Sequence, residues 1–73
     1  MTELQKQIFR QFETHGHTNK NALRNVTQYW YSPLKSLIVQ GFVKPLKMVG
    51  CYELTHKGIN AVAQMQHERE QVQ

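Results

Sequence analysis

The sequence predicts a mainly α-helical domain carrying one small β-hairpin, an α+β fold, on three observations. Apolar residues recur at helical spacing in four separate stretches. Two short β-leaning runs flank Gly50. The 73 residues admit a single domain spanning 1–73, since a second hydrophobic core would need roughly 50 residues of its own. Hydrophobic residues make up 40% and charged residues 19%, too apolar for a disordered chain. No run approaches the roughly 20 apolar residues of a membrane span, so the chain is expected to fold in water.

Thr2 and Gln5 are spaced as a capping box, and Leu4, Ile8, Phe9 and Phe12 then trace one apolar stripe. A first helix is expected from Thr2 to His15, closed by Gly16 in a left-handed conformation. Thr18 offers a second N-cap before Ala22, Leu23 and Val26, a helix of about two turns ending near Thr27. Ser32 and Pro33 read as an N-cap and a first helical residue, and Leu34, Leu37 and Ile38 carry a third helix to Gln40 with Gly41 as its stop. A start at Thr27 would place Pro33 inside the helix, against the carbonyl four residues back. Residues 28–31 are therefore assigned to a turn.

Phe42–Lys47 and Cys51–Leu54 form the hairpin, joined through Met48, Val49 and Gly50. Pro45 cannot donate to a ladder, which confines its strand to an edge. Thr55 caps a last helix whose Ile59, Val62 and Ala63 are expected to face inward. From Gln66 to Gln73 the chain turns polar, a tail that frays or continues as a solvated helix. No heptad persists there, which excludes a long coiled coil.

Charge is unevenly placed. The net charge is +4, yet between Thr18 and Gly58 the cations Lys20, Arg24, Lys35, Lys44, Lys47 and Lys57 face Glu53 alone, a balance of +5 that leaves −1 for the flanks. A basic centre suits a polyanion such as nucleic acid; a solvated basic face with no partner is the plainer alternative. Several chemistries are set aside. There is no P-loop, no dinucleotide fingerprint and no paired-carboxylate constellation. His15-x-His17 lacks a second close pair and no C-x-x-C occurs, so no metal site is expected. Cys51 and His56 have no third orienting group for nucleophilic catalysis. Neither an enzyme nor a cofactor is expected. The single Cys51 cannot form an internal disulfide, and no secretion signal opens the chain, which together fit a reducing cytoplasm.

Two local patterns carry a resemblance. Leu37, three residues, then Gly41-Phe42-Val43 resembles the end of the recognition helix and the entry into the wing in bacterial regulators. Tyr52-Glu53-Leu54-Thr55-His56-Lys57-Gly58 resembles the Y-x-L-T-x-x-G stretch that leaves the wing in the MarR and PadR families. With the order helix, helix, turn, helix, hairpin, helix, the chain is similar over nearly its whole length to the winged helix-turn-helix superfamily. The resemblance implies a bacterial or phage regulator of transcription that binds double-stranded DNA, with the third helix in the major groove, the second helix and turn on phosphates, and the wing on an adjacent backbone or minor groove. The flanking helices that build MarR dimers and their ligand pocket are absent, so drug sensing does not transfer.

On that surface the outward positions of the third helix are Ser32, Lys35, Ser36 and Val39, with Lys35 the leading contact. Ser36 suits either a base edge or a phosphate. Lys20, Arg24, Lys44 and Lys47 are phosphate neutralisers, and Asn19, Asn21 and Gln28 add donors. Of the triplet Tyr29-Trp30-Tyr31, Trp30 is assigned to the core and Tyr29 or Tyr31 to a contact through its hydroxyl. Met48 and Val49 at the hairpin tip leave open a minor-groove wedge or a loosely packed loop. One small module offers roughly 600–1,000 Å² of surface, so a homodimer or larger assembly is expected, meeting through the first and last helices. Two rivals stay in play: a protein-interaction module on the same fold, and a single-strand or RNA binder that stacks bases on Tyr29–Tyr31.

Overall fold

A computed structural model describes residues 2–71, with side chains as far as His67. Its element order is α1 (Glu3–Arg10), β1 (His17–Asn19), α2 (Lys20–Val26), α3 (Tyr31–Val39), β2 (Val43–Pro45), β3 (Cys51–Leu54) and α4 (His56–Gln71). The strands form an antiparallel sheet in the order β1-β3-β2. Pro45 therefore sits on an edge strand, as its missing N–H requires.

The capping box forms at Thr2: Gln5 N–H donates to Thr2 Oγ1 and Thr2 N–H to Gln5 Oε1, each at 3.2 Å. The α-helix ends at Arg10, short of the expected His15. Gln11, Phe12 and Glu13 instead donate their amides to carbonyls three residues back, at 3.1 Å each. Tighter winding eclipses residues i and i+3, which sends Phe9 and Phe12 into the core together, both fully buried. Gly16, at φ +76°, then turns the chain into β1.

That strand is absent from the sequence reading. Three residues with polar His17 and Asn19 are too short to display an alternation; β1 exists because β3 offers it a ladder, Thr18 lying opposite Tyr52. Thr18 is thus a strand residue, and the cap of α2 falls to Asn19, whose Oδ1 accepts from Ala22 N–H at 3.0 Å. α3 likewise starts at Tyr31, ahead of the expected Ser32 cap. Trp30 holds the cap position with no side-chain bond, and Pro33 is the third helical residue, where an amide would have no intrahelical partner in any case.

Ile8, Phe9, Phe12, Leu23, Leu34, Leu37, Val43, Leu54 and Val62 make one core, with Trp30, Ile38, Phe42, Tyr52, Ala61 and Met65 packed at its margin. The inward face of α4 is Gly58, Ala61, Val62 and Met65. Of the three expected there, only Val62 is buried; Ala63 is exposed and Ile59 is 54% exposed. Both border a shallow groove of about 240 Å³ between Phe12 and Gln66. α4 continues to Gln71, and the last residues of the expected polar tail, Val72 and Gln73, lie outside the described residues.

The cause of the rotated face of α4 is Gly58. A Cβ there would stand 2.0 Å from the carbonyl oxygen of Phe42 and 3.0 Å from Leu54 Cδ2, so α4 crosses the start of the hairpin with backbone against backbone. Thr55 fixes the crossing. Its N–H donates to Phe42 O at 3.0 Å, its hydroxyl donates to Gly41 O, and the same oxygen accepts Gly58 N–H at 3.1 Å as the N-cap of α4. Gly41, at φ +86°, is the left-handed residue that turns α3 into this junction.

Gly58→Ala gains up to about 1 kcal/mol of helix propensity, but the clash is with a carbonyl that cannot swing aside, and overpacking of this kind costs about 1–3 kcal/mol or more. We expect a net loss of about 2 kcal/mol, seen as a thermal midpoint lower by about 8–16 °C. A midpoint at or above that of the parent would show that α4 does not approach Phe42 so closely. Thr55→Val removes the hydroxyl's two bonds at little change of volume and is expected to cost about 1–3 kcal/mol in denaturant unfolding.

Candidate nucleic-acid interface

On α2, Lys20 and Arg24 stand four residues apart and both are exposed, so they share one stripe of the helix, with Asn21 beside them. Leu23, three residues on from Lys20 and on the neighbouring flank of the helix, is fully buried and anchors that orientation. The chain leaves α2 at Thr27, whose Oγ1 accepts Tyr29 N–H at 3.2 Å and shapes the turn that carries Gln28 and Tyr29 outward.

α3 buries Pro33, Leu34 and Leu37, which turns Ser32, Lys35 and Val39 to the outside at three- and four-residue spacing. Lys35 is therefore central to the exposed stripe. Ser36 is not free for an outside ligand to the same degree. It is half-buried and its hydroxyl accepts the side-chain amides of Gln5 and Gln40, each at 3.0 Å, which ties α3 to α1. The sequence carried no signal for this pairing, because Gln5 is 31 residues away and already serves the capping box.

In the hairpin, Lys47 is exposed, and Lys44 is drawn to Glu53 directly across the ladder, Nζ to Oε1 at 3.1 Å. Val43 and Leu54, the adjacent pair, are buried, so the Lys44–Glu53 pair lies on the sheet face turned away from the core. The hairpin tip also meets α2. Lys20 N–H donates to Gly50 O at 2.7 Å, and the Lys20 stem runs along Gly50, its Cδ 3.0 Å from where a Cβ would stand. Lys20 therefore belongs to the α2 stripe and the hairpin tip at once. Lys20, Arg24, Lys35 and Lys47 form no ion pair among the described residues.

Lys57 has a different part. It reaches back from the first turn of α4 to the end of α3, where Nζ donates to Gln40 O at 2.8 Å and sits 4.7 Å from the centroid of the Phe42 ring. Its unfavourable place at a helix N-terminus is offset by a favourable one at a helix C-terminus.

Tyr29 and Tyr31 are both exposed, and Trp30 is half-buried against the core, its ring edge-on to Tyr31 at 5.7 Å between centroids. The His15 and His17 rings stack at 5.8 Å between centroids. No group of three or more His, Cys, Asp or Glu side chains among the described residues is placed to hold a metal ion. Among the same residues, no helix is long and apolar enough to cross a membrane. Comparisons with protein-family models, with curated proteins and with solved structures found no match for this chain.

The Lys44–Glu53 pair is half-exposed on both sides, at 56% and 37%, so solvent screening keeps its contribution within about 0–1 kcal/mol. Glu53→Gln should therefore shift the urea midpoint only slightly, and the shift should vanish in high salt. A larger loss that persists in salt would mean that Glu53 does more than pair with Lys44.

Proposed function

We propose that this chain is a winged helix-turn-helix protein that binds double-stranded DNA and serves as a small transcriptional regulator. The element order α1-β1-α2-α3-β2-β3-α4 and the sheet order β1-β3-β2 support the winged-helix reading, with the β2–β3 hairpin as the wing. The observation on which the DNA reading rests is that Lys20, Arg24, Lys35 and Lys47 are all exposed and form no ion pair among the described residues, Lys20 lying against Gly50 at the hairpin tip and Lys35 on the outward stripe of α3.

In this reading α3 enters the major groove, about 12 Å wide, with Ser32 and Lys35 toward the base edges. Lys20, Arg24 and Lys47 neutralise phosphates, and Gln28 and Tyr29 from the turn and Tyr31 from the first residue of α3 add hydrogen bonds. Lys44 contributes less, since Glu53 holds it. Ser36 acts through Gln5 as a support for α3. Because one module supplies roughly 600–1,000 Å², two copies act together on a site, with the α1–α4 side available for their contact.

One observation favours a second reading. Val39 is 79% exposed on the same stripe as Lys35, an apolar side chain that suits a protein-interaction module of the same fold.

Salt-titrated binding to duplex and single strands decides between them. With three phosphate contacts per copy, log K should fall against log salt with a slope of about −2.7 per copy bound. Lys35→Ala should weaken duplex binding by about tenfold and relax discrimination between base sequences, whereas Lys47→Ala should weaken all sequences alike and lower that slope by about 1. No duplex affinity at low salt would support the interaction module. A preference for single strands, lost in Tyr29→Ala or Tyr31→Ala, would support base stacking on the turn instead.

A further inference from the structure

We infer that the hairpin tip is a wedge: Met48, with Val49 beside it, enters the minor groove of the bound duplex, opens a base step and bends the DNA. This rests on the duplex-binding reading above and adds to it a deformation of the partner.

Val49 is 89% exposed, the most exposed large hydrophobic side chain among the described residues, and Met48 is 72% exposed. They are consecutive residues in the turn that joins β2 to β3, both largely in solvent. Isolated exposed apolar residues are ordinary, but these stand on a fixed support. Cys51 N–H donates to Met48 O at 3.1 Å, Leu46 N–H donates to Cys51 O at 2.9 Å, and Lys20 N–H clasps Gly50 O at 2.7 Å. The turn is thereby braced on the N-terminus of α2 while its two side chains touch solvent.

The surroundings select the occupant. Lys47 precedes the two residues, Lys20 lies against Gly50, and the acid of the hairpin, Glu53, is engaged by Lys44. An apolar point flanked by two cations is complementary to a surface with apolar seams between rows of anions. The minor groove is such a surface, and at about 6 Å wide it admits a turn tip where a helix would not fit. Inserted methionine and similar side chains unstack a base step and kink the duplex toward the major groove. With the hairpin following α3 directly, such a kink folds the adjacent major groove toward Ser32 and Lys35. A bilayer is the poorer fit: two side chains bury far less than the single acyl chain that gives only marginal membrane binding.

The test uses the whole chain and an A·T-rich duplex of about 30 base pairs, carrying 2-aminopurine at its centre and a donor–acceptor dye pair at its ends. The variant is Met48→Ser with Val49→Ser, and its thermal midpoint should stay within about 2 °C of the parent because both side chains are exposed. The parent should raise 2-aminopurine fluorescence by about twofold and shorten the end-to-end distance. The variant should bind within about fivefold of the parent, since lost contacts and relieved unstacking offset, yet leave the duplex straight and stacked. Met48→Leu alone should retain the distortion. If the parent binds the duplex without bending or unstacking it, or the serine variant bends it equally, the wedge is overturned and the duplex reading stands. If the parent has no duplex affinity at low salt, both fall. Vesicles of phosphatidylcholine with phosphatidylserine form the last arm: capture of the parent but not the variant, with no distortion of DNA, would overturn the wedge in favour of a lipid surface.

Discussion

The constraint on which the rest of the structure depends is the junction where α3 ends, the hairpin begins and α4 crosses over both. The end of a helix leaves carbonyl oxygens without intrahelical donors, and here they lie close to the core. Thr55 and Lys57 supply donors to Gly41 and Gln40, and the Thr55 amide takes Phe42 O. One side chain thus closes α3 and opens α4, because the Thr55 oxygen also accepts Gly58 N–H. With Phe42 packed 5.6 Å from Phe9 and Val43 paired to Leu54, the same few residues lock α1, the sheet and α4 together. The orientation of α3 relative to the hairpin follows from this junction, and with it the relation of Lys35 to Lys47.

The basic centre of the chain divides into two populations once it is folded. Lys57 and Lys44 are turned to the protein itself, one to a helix end and an aromatic ring, the other to Glu53. Lys20, Arg24, Lys35 and Lys47 are exposed and form no ion pair among the described residues. The partition matters because a phosphate contact depends on a cation that has no better neighbour, and a formal balance of +5 overstates what a polyanion would meet. The small sheet adds a second division. It commits one face to the core through Val43 and Leu54 and leaves Lys44 and Glu53 on the other, while the hairpin tip extends past both with Met48 and Val49.

Much of this was legible beforehand, and the exceptions have a common origin. The Thr2–Gln5 box, the Ile8–Phe9–Phe12 stripe, the Gly41 stop, the edge position of Pro45 and the Thr55 cap are all short-range patterns, and the structure contains each of them. Apart from the early end of α1 and the start of α3 at Tyr31, which are local, what was missed involves distant residues. β1 needs β3, 34 residues on from Thr18 to Tyr52. Ser36 is diverted by Gln5, and Lys57 by Gln40. Ile59 scores as an inward residue by hydrophobicity, yet Gly58 must approach Phe42 O, and that turns Ile59 toward the groove beside Phe12. Of the candidate contact residues, Lys35 and Ser32 keep the exposed stripe expected of them, and Lys44 and Ser36 are engaged within the protein.

The sequence by itself determined the presence of four helices, the Thr2 and Thr55 caps, the Gly41 stop, the hairpin and the concentration of positive charge at the centre, because each rests on residues within a turn or two of one another. Only the tertiary structure decided which cations are left to face a partner, which side of α4 is buried and that a third strand exists. Those outcomes depend on which groups meet across the fold, and a hydrogen bond or a clash between distant residues leaves no periodic trace in the chain that makes it.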